Sequence, residues 1–149
     1  MESVSSRLST FFKGADSGAD VFYPQDYLLA VFSNLADADN AKAELCRRGR
    51  AEEDMIVASG EEVVNYAQEH LNKTGLWGRL ISELSSTIGT AALYAERDLA
   101  AAKEGKAFLA VLCPGEKVKA ETWKVLEPNH PLVARYYTSG GIEHLVGEY

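Results

Sequence analysis

The sequence predicts an α+β protein, and three observations carry that prediction. Two segments, Tyr27–Ser33 and Ala107–Cys113, are apolar on both alternating sets of positions, as strands covered on both faces are. Each is followed by a helical pattern and then by another strand pattern, so strand–helix–strand is written twice. Between the copies, Leu76 to Glu104 runs without a proline and carries Leu76, Leu80, Leu84, Ile88, Ala91, Ala95, Leu99 and Ala102 at helical spacings of three and four. At about 1.5 Å per residue such a helix is roughly 43 Å long if unbroken, longer than a domain of this size is wide.

Taken in order, residues 1–24 mix serine, glycine and aspartate around a Phe11-Phe12 pair and read as a flexible N-terminal arm. The first strand follows Pro24. Asn34 and Asp37 offer caps for a helix over about 36–48, with Ala38, Ala41, Leu45 and Cys46 on one face and Gly49 as a left-handed stop. Met55–Ala58 is a short second strand between the acidic cluster Glu52-Glu53-Asp54, read as a solvated loop, and Ser59-Gly60. The second copy has its strand at Ala107–Cys113, a turn at Pro114-Gly115, a helix to about Leu126 and a strand from Leu132 to Thr138. A shift of eighty residues lays Ala30-Val31 on Ala110-Val111 and Gly49 on Asn129.

Two βαβ halves in one small domain, residues 25–149, imply a ferredoxin-like split βαβ sandwich: a four-stranded antiparallel sheet whose first and third strands are central. Residues 61–104 then form a two-helix insertion between strands 2 and 3, with Glu61–Lys73 as its first helix and Thr74-Gly75 as the break. Two helices cover only one sheet face, yet the central strands are apolar on both. At about 25 cal/mol/Å² a strand face is worth several kcal/mol, comparable with a domain's net stability, so the second face is not left wet. The inserted helices, a second subunit or both must cover it; a homodimer with 76–104 contributing is expected, and a monomer whose insertion folds back is the alternative.

Composition narrows the function classes. The chain of 149 residues has a formal charge of −7 and no Lys/Arg run, which argues against nucleic acid. No eighteen-residue uncharged apolar run and no leader-like segment occur, so no membrane partner and a cytoplasmic location are expected. Cys46 and Cys113 have no metal-ligand spacing and read as buried thiols. His70, His130 and His144 are scattered; Glu69-His70 and Glu143-His144 are adjacent and would point about 100° apart on a helix, so no metal is expected. Neither phosphate-loop motif nor GxSxG elbow is present, so no catalytic residue and no cofactor are assigned.

Arg135 stands out, because it lies inside the last strand on the same alternating face as Val133 and Tyr137. A cation there with a phenol beside it could hold a carboxylate or phosphate, a small anionic ligand; a snorkelling edge-strand arginine is the plainer reading. His130 and Tyr27 complete the candidate set, with Tyr66 and Tyr94 as further pocket-lining aromatics.

The tail Ala134-Arg135-Tyr136-Tyr137 through Gly140-Gly141-Ile142-Glu143-His144-Leu145 resembles the ending of YflT-like general stress (heat-induced stress) proteins of bacteria. The opening Ala30-Val31-Phe32, followed by an alanine-rich helix ending in Gly49, is similar to theirs as well. The resemblance covers the two βαβ halves and implies a ferredoxin-like domain without assigned catalytic residues. The expected function is therefore a dimeric, non-enzymatic interaction or small-ligand-sensing module of stress physiology. The alternative is a small enzyme of the dimeric α+β barrel type acting on a small aromatic or acidic substrate.

Overall fold

The computed structural model describes residues 26–70, 90–138 and 141–147. The arm expected over 1–24 and the part of the long helix expected before Thr90 lie outside the described residues. In chain order the elements are β1 (Tyr27–Phe32), α1 (Leu35–Arg47), β2 (Met55–Ala58), α2 (Gly60–His70), α3 (Thr90–Lys103), β3 (Ala107–Leu112), α4 (Glu116–Leu126), β4 (Val133–Thr138) and β5 (Gly141–Val146). Short 3-10 turns stand at Glu52–Asp54 and Glu127–Asn129. The described residues fall into two compact units, one within Gln25–Ser59 and Gly105–Tyr149, the other within Gly60–Glu104.

The first unit is α+β. Its one sheet has the order β2-β3-β1-β4-β5, with every pair antiparallel. It follows that β1 and β2, joined through α1, are parallel with β3 between them, and that β3 and β4, joined through α4, are parallel with β1 between them. An eighty-residue shift lays β1 on β3 residue for residue. The sheet has five strands where four were expected, because Gly141–Val146 pairs with β4 from Thr138↔Gly141 to Ala134↔Val146. β4 is therefore an inner strand. A register shift at Ala134/Arg135 interrupts that last pairing.

One sheet face carries Leu28, Ala30, Phe32, Leu109, Val111, Ala134 and Tyr136, packed against Ala38, Ala41 and Leu45 of α1 and Val125 and Leu126 of α4. Alternate residues take the other face, and they are buried too: Leu29, Val31, Ile56, Phe108, Ala110 and Val133 are all at most 6% exposed. The continuous apolar runs thus report two covered faces.

Local chemistry sets the helix ends. The Asn34 side chain accepts a hydrogen bond from the Asp37 N–H at 2.8 Å and caps α1. Gly49 stops the helix with φ +93, a conformation that costs glycine nothing. In the second half the left-handed residue is His130 (φ +55) and not Asn129, whose amide instead donates to the Val125 carbonyl at 2.9 Å. Cys46 is exposed, against the expectation of burial, because α1 turns only Ala38, Ala41 and Leu45 inward. Cys113 is buried.

In the second unit α2 and α3 pack on each other. Ala101 and Ala102 of α3 are buried, and so is Asp98, a charged position that the apolar stripe does not announce. Among the described residues no helix is long and apolar enough to cross a membrane.

Two truncations test this account. Leu109→Ala, at the centre of an inner strand, is expected to cost about 2–5 kcal/mol in urea unfolding. Asn34→Ala is expected to cost about 1 kcal/mol through the lost cap alone; equal losses at the two sites would contradict the assignment of core and cap.

Candidate functional site

The residues singled out in the sequence do not converge on one site. β1 and β4 place Arg135 beside Leu29, and alternation puts Tyr27 and Tyr137 on that same face. The Arg135 guanidinium lies 5.7 Å from the centre of the Tyr137 ring, and both side chains are 0% exposed. That is a cation packed on an aromatic inside the protein, not the snorkelling edge arginine of the plainer sequence reading. His130 is exposed and stands at the other end of β1 from Tyr27, because the register runs Val31↔Val133 at one end and Leu28↔Tyr136 at the other. Glu143 and His144 sit on a strand, so they take opposite faces instead of helical positions. The side chains of Tyr66, Tyr94 and His70 lie outside the described residues. Among the described residues no three His, Cys, Asp or Glu side chains gather to hold a metal.

A cleft of about 280 Å³ opens instead between α1 and α4 in the first unit. Its apolar floor is Leu45 and Val125, two residues that the core packing of the helices brings together. Arg48 and Arg50, just past the end of α1, form one wall, and Glu121, Thr122 and Lys124 of α4 form the other. Gly49 makes the turn that reverses the chain between the two arginines, closed by Gly49 N–H to Cys46 O at 3.0 Å and Arg50 N–H to Leu45 O at 3.0 Å.

Arg50 reaches across the sheet's end and donates through Nη2 to the carbonyl of Leu112. Its Nε is buried without a hydrogen-bond acceptor. Arg48 pairs with Glu44 at 3.2 Å, and the Arg47 and Arg48 hydrogen bonds hold the Glu44 carboxyl below its usual pKa. Neither Lys124 nor Glu121 makes an ion pair among the described residues. Beneath the cleft, Thr122 is 1% exposed, and its hydroxyl is buried without a hydrogen-bond partner. Burial pushes the Cys113 thiol up, an effect that the Arg50 charge only partly offsets.

A second charged group lies at the other end of α4. Lys119 is 8% exposed, and its ammonium is 2.8 Å from Glu116 and 2.5 Å from Glu143 and 5.3 Å from the centre of the Tyr136 ring. Tyr136 donates its hydroxyl to the Cys113 carbonyl at 2.6 Å, and burial, more than any neighbouring charge, raises its pKa. Lys119 thereby fastens α4 to β5. A lysine one turn from Thr122 and two from Leu126, on an otherwise apolar face, is the sequence signal that could have identified it.

The fastening has a pH signature. Hydrogen bonds to Glu116 and then Glu143 raise the Lys119 pKa above the ordinary 10.5. The stabilisation they give is complete below the unfolded value and fades as pH rises through the higher folded one. Wild type is expected to be more stable than Lys119→Met at neutral pH, with the gap closing above pH 10.5. A gap of constant size in alkaline unfolding curves would mean that packing, not charge, separates the two.

Comparison with protein-family models, curated proteins and solved structures gives no match; the reading of the cleft rests on its own geometry.

Proposed function

We propose that the protein is a non-enzymatic small-ligand-binding module that takes a small organic anion in the α1–α4 cleft. The observation that carries this is the buried Arg50 Nε, which has no acceptor while Nη2 is held by the Leu112 carbonyl. A buried N–H left without an acceptor costs about 1–3 kcal/mol, and a turn of the Arg50 guanidinium toward an anionic oxygen in the cleft, whose lining it joins, would remove that cost. Arg48 and Lys124 flank the position, so a chain of formal charge −7 gathers three cations against one carboxylate here. The volume stands at the small end of ligand sites, which favours a metabolite over a peptide or nucleic acid.

Binding without catalysis is favoured because, among the described residues lining the cleft, the one hydroxyl, Thr122, is buried and makes no hydrogen bond to a general base. The strand order β2-β3-β1-β4 supports a ferredoxin-like scaffold with β5 as an addition. This agrees with the resemblance to general stress proteins, which brings no catalytic residues with it.

The test is thermal unfolding with phosphate, sulfate and small carboxylates against chloride at matched ionic strength. A saturable rise is expected for at least one anion. Ligand at 100-fold its Kd contributes about 2.7 kcal/mol, which is on the order of 5–10 °C for a chain of this size. Arg50→Ala and, separately, Lys124→Ala should each remove most of the rise. Lys124 makes no ion pair among the described residues, so loss of the rise in that variant is not assigned to unfolding. A rise that survives both substitutions would place the anion elsewhere.

A further inference from the structure

We infer that the ligand is an acidic α-amino acid, carrying an ammonium as well as two carboxylates; this rests on the anion-binding reading of the α1–α4 cleft. The cleft's charges are divided between its walls. Arg48 and Arg50 stand on the wall that follows α1, whereas the α4 wall carries the carboxylate of Glu121 and, three residues on, the ammonium of Lys124. Positions three apart on a helix are neighbours, and an opposite pair there ordinarily meets. Glu116 and Lys119 on this same helix do meet, at 2.8 Å. Glu121 and Lys124 have the same spacing and order and form no ion pair among the described residues, so both charges are left to the cleft.

A ligand with only negative groups would satisfy the three cations and bring its charge up against Glu121, which repels it. A single added ammonium turns that repulsion into a charge-assisted hydrogen bond. In this arrangement one carboxylate meets the Arg50 guanidinium, the α-ammonium donates to Glu121, and the second carboxylate meets Lys124. Leu45 and Val125 take the intervening methylenes. Three cations stand against Glu121 and against the Glu44 that pairs with Arg48, a net charge of +1 that matches a ligand of net charge −1. Simple oxyanions would fit the arginines but leave Glu121 opposed.

The experiment compares L-glutamate with glutarate, the same dicarboxylate without the ammonium, by calorimetric titration of the full chain. L-Glutamate is expected to bind about tenfold tighter or more, the value of one hydrogen bond to a charged group. Glu121→Gln should reduce that preference to about twofold or less, chiefly by weakening glutamate, while glutarate binds as well as before or better. Far-ultraviolet dichroism keeps the variant interpretable, since Glu121 is an exposed helix residue with no partner in the fold. Equal binding of the two compounds to wild type, with both lost in Lys124→Ala, would overturn the amino-acid assignment and leave the anion site standing. Binding of phosphate but of neither dicarboxylate would do the same. If no anion binds, both readings fall together.

Discussion

The structure depends on one constraint: β1 and β3 are apolar on both sides of the pleat. Leu28 through Phe32 are at most 3% exposed, without the alternation that a half-wet strand shows. Strands of this kind cannot stand at a sheet edge, where unpaired backbone groups and exposed apolar side chains would invite association. They are found instead in the middle, β1 between β3 and β4, β3 between β2 and β1. Several core residues are small: Ala30, Ala107 and Ala134 on the sheet, Ala38 and Ala41 on α1. Small residues on both surfaces let α1 lie close, and its last apolar residue, Leu45, then reaches Val125 of α4. The cleft is the consequence of that approach. Its floor is the last of the core, and its walls are what the chain places immediately beyond.

The parts of this arrangement legible in the sequence are those written as runs. β1 to β4 were readable because each apolar segment is continuous and bounded by a cap or a turn, and Asn34 and Gly49 marked the ends of α1 by their own chemistry. β5 was not, because it is half exposed and carries Glu143 and His144 at its middle, which leaves no clear period of two. Its presence changes the meaning of Arg135: with β5 outside it, β4 is an inner strand, and a cation that would snorkel from an edge is packed on Tyr137 instead. Arg50 was illegible for another reason. Its partner, the Leu112 carbonyl, is 62 residues away, and nothing local distinguishes it from Arg47 and Arg48.

The buried Lys119 and the half-buried Arg50 show how differently the fold treats charge. Lys119 is saturated: two carboxylates and an aromatic face meet its ammonium, so its role is completed within the fold and it binds α4 to β5. Arg50 is half satisfied. One nitrogen supports the end of β3 while another faces no acceptor, and a group with both a structural anchor and an unused donor is rigidly presented without being consumed. Preorganisation of that kind lowers the entropic cost of capturing a ligand.

The internal repeat sharpens this argument, because it supplies a built-in control. An eighty-residue shift carries β1 onto β3 and the floor residue Leu45 onto the floor residue Val125, so the two halves meet at the cleft as near equivalents. The charges around that floor are not equivalent. Arg48 falls on Pro128, Arg50 on the exposed His130, and Lys124 on Glu44, which is already paired with Arg47 and Arg48. Were the cations a by-product of the scaffold, each half would contribute them alike, as each contributes its strand, helix and apolar floor. Each of the three instead falls on a residue of another kind in the other half. The floor pair Leu45 and Val125 keeps the repeat, whereas the buried Leu126 falls on the exposed Cys46.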